Sequence, residues 1–345
     1  MDKNMIGTIM AREVTEIPEV LRRQVQHGLG TYLMAGQHAA QTNPRGFVTC
    51  ARGTSDHAAT FFKYVMETRT GLPVTSIGPS IASVYKTPLK LQELICLTIS
   101  QSGGSPDLVA LQAAAKQGGA QTLALLNETD SPVGQTADMV LDVLAGPEKA
   151  VAATKSFVST LFAILGFAAG FTNDKELETA LRSFPDIATK ALNQDWSKAQ
   201  LSLARAGSVF TVGRGPGLAV AAEAALKLKE TCRIHAEVFS AAEVLHGPVV
   251  LADNRFASLV FDSQDETRES ILTVIQTMGE RDAAAFVVTP DGNCVDQLPV
   301  PDVSHPLLQP LVQIIGFYSF VEKMACNLGE NADAPSGLKK VTVTV

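Results

Sequence analysis

Residues 208–248 read SVFTVGRGPGLAVAAEAALKLKETCRIHAEVFSAAEVLHGP, and the order of their parts decides the fold. A β-type run, Ser208–Val212, meets the glycine turn Gly213-Arg-Gly-Pro-Gly217, and a helical pattern follows from Leu218 to about Arg233. Strand, glycine turn and helix in succession form the unit from which parallel α/β sheets are built. At 100° per residue, Glu223 and Lys227 lie roughly 40° apart and Lys227 and Glu230 roughly 60° apart, so the three share one face. The opposite face is Ala221, Ala225, Leu228 and Cys232, small enough for close packing. Glu237, Glu243 and His246 then crowd into a short segment ending at Gly247-Pro248. The ordinary reading of such charges is a solvated face whose pairs contribute little. On an alanine-rich helix that should be largely buried, a Lys–Glu group is instead costly unless it is used. A carboxylate held beside a lysine in such surroundings suits a group that must both take and return a proton.

The same order occurs earlier in the chain, in register. Gly46-Phe-Val-Thr-Cys50 meets Ala51-Arg-Gly-Thr-Ser55, and a helical pattern runs from Asp56 to about Arg69, with Ser55 and Asp56 as expected N-caps. Leu94–Ile99 is a continuous apolar run of the buried parallel-strand kind. It discharges into Ser100-Gln-Ser-Gly-Gly-Ser-Pro106 before a helix near Asp107. Further strands are expected over Thr122–Leu126 and Met139–Val143, each followed by loop and helix. Arg52-Gly53 recurs as Arg214-Gly215, 162 residues on. Ser100 falls opposite Asp262, after the run Phe256–Phe261, and Ala124 opposite Phe286 in Ala284–Thr289, each again at 162. Three equal offsets mark a tandem duplication of one α/β unit, a parallel sheet with helices on both faces. The expected organisation is a helical segment over 1–45, a first domain over 46–180 carrying the anion-type loops, a second over 195–330 carrying the charged helix, and a tail over 331–345 that closes the site. The joint falls in the polar, helical stretch 172–201.

Composition bounds the class of function. A chain of 345 residues, 46% hydrophobic and 18% charged, is globular and long enough for about two domains. A net charge of −7 argues against nucleic acid or an anionic membrane as partner, while a local site can still take a small anion. Five cysteines, an odd number without paired metal spacing, read as buried free thiols of a reducing compartment. No signal-peptide core opens the chain, and the longest apolar run, Phe157–Phe171, is too short to span a bilayer. A cytoplasmic soluble protein is expected.

Ser100-Gln-Ser-Gly-Gly-Ser105 sits where a parallel strand ends and a helix starts. Unpaired backbone N–H groups and the helix dipole favour an anion there, and the hydroxyls add donors. The loop lacks the lysine of a P-loop and the fingerprint of a dinucleotide site, so a phosphate monoester held by neutral donors fits it best. Gly53-Thr-Ser55, at the preceding strand end, would converge on the same point. The plain alternative is a Ser/Gly turn without a ligand. In the second copy the corresponding Gln264-Asp-Glu266 is acidic, which leaves one copy fit for an anion. His27, His38 and His305 read as structural or surface residues, and His57 as a support of the loop. His235 and His246 flank carboxylates, yet no His-x-x-x-His or equivalent ligand spacing is present, so no metal is expected.

Arg52-Gly-Thr-Ser55, Ser100-Gln-Ser-Gly103, Val151-Ala-Ala-Thr-Lys155, Glu223-Ala-Ala-Leu-Lys-Leu-Lys-Glu230, His235-Ala-Glu237, Glu243-Val-Leu-His-Gly-Pro248 and the Lys339-Lys340 tail resemble the sugar isomerase (SIS) family. Over nearly its whole length the chain is similar to the isomerase half of glucosamine-6-phosphate synthase, and as a lone isomerase unit it resembles the stand-alone SIS-type glucosamine-6-phosphate deaminases. The resemblance implies two tandem SIS domains of flavodoxin-like three-layer architecture, and a homodimer that takes a hexose or hexosamine 6-phosphate at an active site shared across the interface. It implies that Ser100, Gln101, Ser102 and Ser105 hold the phosphate with Thr54 and Ser55 nearby, and that Val151 and Ala153 lie at the sugar. Glu230 would move the proton between C1 and C2 with Lys227 beside it. His246 would open the ring, reaching the partner subunit's site, and Lys340 would meet the open-chain carbonyl. No cofactor is implied. No counterpart of the synthase's glutaminase domain is present, so ammonia is not expected to come from glutamine. Leu245, Ala153 and Ser336 depart from the synthase's pattern and bear on which sugar is taken.

The expected activity is glucosamine-6-phosphate deamination. Other enzyme readings are another aldose–ketose isomerase, a galactosamine-6-phosphate deaminase or a deglycase for fructosyl-amine 6-phosphates. A reading of another class is a non-catalytic phosphosugar-binding regulator, which would have no use for the proton-transfer residues.

Overall fold

A computed structural model describes residues 7–340. The chain forms two compact units, one of residues 19–147 with 156–183, the other of residues 7–18, 148–155 and 184–340. Both are built on a five-stranded, wholly parallel sheet, the α/β architecture expected from the repeat.

In the unit that holds residues 19–147 the strands are β1 (Gly46–Cys50), β2 (Val74–Ser76), β3 (Leu94–Ser100), β4 (Gln121–Leu126) and β5 (Met139–Asp142), in the order β2-β1-β3-β4-β5. Every residue of β1 is buried, and β3 is buried from Ile95 onward. Burial on both faces explains why these strands read as unbroken apolar runs rather than alternating ones. Phe47 points to one face, where it meets the Phe62 ring edge-on at 5.2 Å and packs near Phe167 and Phe171. Val48 and Cys50 point to the other, packing with Cys96, Leu108, Leu111 and Ala124. On the Phe47 side the helices Leu29–Gln41 and Lys155–Thr172 approach through glycines. A Cβ on Gly36 would lie 2.0 Å from the Phe167 carbonyl oxygen, and one on Gly170 2.0 Å from that of Leu33. The Lys155–Thr172 helix is long and apolar enough to cross a membrane, but 89% of it is buried within the protein, as befits a core helix.

The second sheet comprises β6 (Ser208–Gly213), β7 (Ala236–Ser240), β8 (Phe256–Phe261), β9 (Ala284–Thr289) and β10 (Gln297–Pro299), ordered β10-β9-β8-β6-β7. Read from β7, this is the order of the first sheet. The offset of 162 holds for whole elements: helix Pro106–Gln117 recurs as Arg268–Gly279, and β3 begins at Leu94 where β8 begins at Phe256.

Three details differ from the expectations. The helix after β1 begins at Thr54, so neither Ser55 nor Asp56 caps it; the N-cap position is Gly53, at φ +53°, without a side-chain bond. Edge strands β2, β7 and β10 were not foreseen, because three residues are too few for a periodic signal in β2 and β10 and a charged residue, Glu237, interrupts β7. Among the cysteines, Cys50, Cys96 and Cys232 are buried free thiols, whereas Cys294 is half-buried and Cys326 is exposed. Cys326 lies in the last turn of the Gln309–Asn327 helix, where its outward side leaves the core.

Candidate active site

An order of β2-β1-β3-β4-β5 reverses between β1 and β3, and such a switch point is where open α/β sheets bind ligands. Both loops singled out from the sequence leave from it. Beyond β3, the Ser100 hydroxyl accepts the Gly103 N–H at 3.0 Å, closing the loop into a tight turn. Gly103 sits at φ +59°, and a Cβ there would come 2.0 Å from Ser131 Oγ, so no other residue fits. Ser100 is buried, while Gln101, Ser102 and Ser105 are half-buried at the mouth. Ser105 occupies the N-cap position of Pro106–Gln117 but its side chain does not cap it. Beyond β1, Thr54 and Ser55 begin the next helix, half-buried. The result is a set of hydroxyls and helix-start N–H groups at one sheet edge, the donor set an anion needs.

The structure brings Arg52, Asp107 and Asp56 to the loop, three residues without a part in the site as read from sequence. Arg52 reaches across from the β1 loop, with Nε and Nη2 each 3.0 Å from Asp107 Oδ2 in the first turn of the helix after β3. Asp107 is fully buried, so it anchors a guanidinium that remains half-exposed beside the loop. The two partners are 55 residues apart and leave no local pattern. Asp56, in the first turn of the helix after β1, has its carboxyl pushed above the usual carboxylate range by burial, against the pull of His57 and Arg52.

In the other unit, the helix Gly217–Cys232 carries the charged face that the spacing predicts. Lys227 is 1% exposed, with Nζ 3.2 Å from Glu223 Oε1 and 2.6 Å from Glu230 Oε2. Glu223 is wholly buried and also accepts the Tyr318 hydroxyl at 3.0 Å. Glu230 alone reaches outward, its side chain 23% exposed, and its Oε1 accepts no hydrogen bond among the described residues. Burial pulls the Lys227 ammonium down, but the two carboxylates more than offset it, and its pKa lies above the ordinary lysine value. Lys227 therefore stays charged. Burial first, then Glu223, push the Tyr318 phenol well above its usual range, with Glu148 and Glu230 adding to the effect, so Tyr318 stays a donor. The arrangement is a braced carboxylate with one free edge. It suits proton transfer to and from a carbon acid.

The same unit contains the segment Glu148–Lys155 and the tail. Val151 donates its N–H to the Asp333 carbonyl at 2.9 Å, and Val151 and Ala153 are half-buried. The tail folds back so that Lys340 Nζ lies 3.1 Å from Glu148 Oε2. The expected tail extends over 341–345, which lie outside the described residues. His246 is exposed at the end of the short helix Ala241–Leu245, and its ring shares no hydrogen bond with Glu230 among the described residues. His235 pairs through Nδ1 with the Ser208 hydroxyl at 2.8 Å. No cluster of three or more His, Cys, Asp or Glu side chains that could hold a metal occurs among the described residues.

The switch point of the second sheet is furnished differently. Arg268, the first residue of the helix after β8, pairs with Asp291 and lies 3.8 Å from buried Asp262. Asp262 in turn accepts from Gln264 and Thr289. Side-chain ion pairs thus occupy the end of β8, where the first sheet carries its Ser/Gly loop.

A model of the SIS domain matches residues 43–169 and 202–294. The chain belongs to the SIS domain family. It is 33% identical over 362 residues to the isomerising glutamine–fructose-6-phosphate aminotransferase of Symbiobacterium thermophilum, covering 97% of this chain and 59% of that protein. The chain thus spans about three-fifths of the curated relatives' length. A solved structure of a candidate phosphosugar isomerase from Silicibacter pomeroyi superposes with a TM-score of 0.88 at 39% identity, covering 94% of this chain and all of that one. Glucosamine-6-phosphate deaminase from Thermotoga maritima has the same fold, with a TM-score of 0.77 at 18% identity over 98% of this chain and all of that one.

Proposed function

We propose that this SIS-family chain is a glucosamine-6-phosphate deaminase, converting glucosamine 6-phosphate and water to fructose 6-phosphate and ammonia. The observation that carries the reading is Glu230: a part-exposed carboxylate with one oxygen held at 2.6 Å by the buried Lys227 and the other without a hydrogen bond among the described residues. A protein that only sensed phosphosugars would not need a buried ion triad behind a carboxylate.

In this proposal Ser100, Gln101, Ser102 and Ser105 hold the 6-phosphate, with Thr54 and Ser55 adding donors, and Val151 and Ala153 contact the sugar. His246 promotes opening of the ring. Glu230 takes the proton from C2 of the open-chain 2-amino aldehyde and returns it to C1. C1 becomes a hydroxymethyl carbon and C2 an imine, so the oxidation at C2 balances the reduction at C1. Water adds to C2 and ammonia leaves. Lys227 keeps Glu230 oriented between proton transfers, and Lys340 meets the carbonyl end. A soluble cytoplasmic homodimer, with His246 serving the partner subunit's site, is the assembly this reading implies. Replacing Glu230→Gln tests it: turnover should fall by about 10²–10⁴-fold while phosphosugar binding survives. Activity within a few-fold of the parent would refute the assignment of Glu230.

A further inference from the structure

β1 and β3 lie side by side with Cys50 opposite Thr98, so the two loops beyond them leave from neighbouring points. The Cys50 thiol donates to the Leu108 carbonyl at 3.7 Å, which lays the first turn of the helix Pro106–Gln117 against the end of β1. An ion pair crosses between these loops. Arg52 belongs to the turn of Thr54 and Ser55, its carbonyl accepting the Ser55 N–H at 3.1 Å. Asp107 belongs to the turn of Ser105, whose carbonyl accepts the N–H groups of Leu108 and Val109, each at 3.1 Å. Arg52 Nε and Nη2 both reach Asp107 Oδ2 at 3.0 Å, while Oδ1 accepts the Leu108 N–H at 2.9 Å. The pair is unequal: the Asp107 side chain is 1% exposed and the Arg52 side chain 53%. A guanidinium is a rigid planar fork of N–H donors. Asp107 takes its Nε edge, and Nη1 makes no hydrogen bond among the described residues. The buried carboxylate therefore fixes one edge of the fork and leaves the outer edge open, between the turns that carry Thr54, Ser55 and Ser105.

From this placement we infer that Arg52 is a further ligand-binding residue of the anion site, a fixed cation whose outer edge contacts the phosphate of a phosphate monoester, with Asp107 as its positioning residue. The inference rests on the reading above that the loops after β1 and β3 hold a phosphate. Hydroxyls and helix-start N–H groups supply dipoles alone, and a dianion brought near the Asp107 carboxylate is repelled unless a cation compensates. Arg52 supplies that charge, and its planar fork matches the oxygens of a phosphate in paired, charge-assisted bonds. Clamping through Nε holds the fork in place before the ligand arrives, so little rotamer freedom is lost on binding. The role is in binding: Arg52 neither forms nor breaks a covalent bond.

The test uses the full chain and the variants Arg52→Met, Arg52→Lys and Arg52→Met with Asp107→Asn, with inorganic phosphate as the probe in calorimetric titration. Arg52→Met should weaken phosphate binding by about 10–100-fold, the loss of a charge-assisted contact, and Arg52→Lys should restore part of it. The double variant removes the buried carboxylate's charge together with the guanidinium. Its melting midpoint should match or exceed that of Arg52→Met, while its phosphate affinity stays within about threefold of that variant. Binding by Arg52→Met within about threefold of the parent would overturn the inference. Recovery of the parent's affinity in the double variant would overturn it too, because Arg52 would then serve only to neutralise Asp107. A parent that binds no inorganic phosphate at millimolar concentration would overturn it together with the anion site. With glucosamine 6-phosphate, Arg52→Met should raise KM by a similar factor and leave kcat within a few-fold, as lost ground-state binding requires. A fallen kcat at unchanged KM would remove Arg52 from the phosphate contacts. A parent that binds phosphate yet releases no ammonia from glucosamine 6-phosphate would sink the deaminase reading alone, leaving the calorimetric result to decide the part of Arg52.

Discussion

Lys227→Met removes the cation that pairs with both Glu223 and Glu230 and leaves the wholly buried Glu223 carboxylate with the Tyr318 hydroxyl as a neutral donor. Breaking a buried pair by deleting one partner costs about 3–5 kcal/mol, far more than an exposed pair contributes. For a unit of this size that is a fall in melting midpoint of roughly 6–20 °C. Trp196 is the chain's single tryptophan, 2% exposed in the same unit, with its N–H on the Pro299 carbonyl at 2.8 Å. Its fluorescence during urea denaturation reports unfolding where the substitution acts. Adding Glu223→Gln should recover more than half of the loss, because both charges are then gone and Tyr318 keeps a partner. The pH dependence has a definite sign. Lys227 binds its proton more tightly in the fold, so its stabilisation is complete below the ordinary lysine value of 10.5 and fades only as pH rises through its higher folded value. The gap between parent and variant should therefore hold its full size up to about pH 10 and narrow above it. A loss below about 1 kcal/mol, the range of exposed pairs, would refute the buried triad and with it the argument that Glu230 is braced for catalysis.

Other substitutions probe separate links. Ser102→Ala, in the half-buried mouth of the loop after β3, should raise KM for a phosphosugar by about 10–100-fold and leave kcat within a few-fold, as loss of one bond to a charged phosphate implies; an unchanged KM with a fallen kcat would move Ser102 out of the phosphate set. Gly103→Ala forces a Cβ against Ser131 Oγ at a left-handed backbone position, so binding should collapse and thermal stability should drop; a fully stable, fully binding variant would show the loop to be other than described. Tyr318→Phe leaves Glu223 short of a donor and should cost about 1–3 kcal/mol by the same Trp196 assay, with a smaller effect on turnover than Glu230→Gln; no change in stability would mean that the hydroxyl contributes nothing to holding Glu223.

What was legible in the sequence is what repeats or has a period. The offset of 162 marks the two sheets as copies of one unit, and the helical spacing of Glu223, Lys227 and Glu230 places them together before any coordinate is known. Both depend on positions near one another in the chain or at a constant distance. The remainder depends on pairs that a folded backbone brings together without local trace. Arg52 with Asp107 spans 55 residues, and Glu148 with Lys340 spans 192, so neither shows in any window. Tyr318 lies in a helix that is apolar almost throughout, and nothing around it announces that its hydroxyl meets Glu223. The helix start at Thr54 was misplaced by two residues because Gly53, at φ +53°, makes the turn that a capping side chain would otherwise mark.

The most direct measurement is ammonia release from glucosamine 6-phosphate by the purified protein, with galactosamine 6-phosphate in parallel and fructose 6-phosphate followed as the co-product. The account predicts ammonia and fructose 6-phosphate in equal amounts from the gluco compound, abolished in Glu230→Gln. No ammonia from the gluco compound, in a preparation that still binds it, would contradict the proposed deamination.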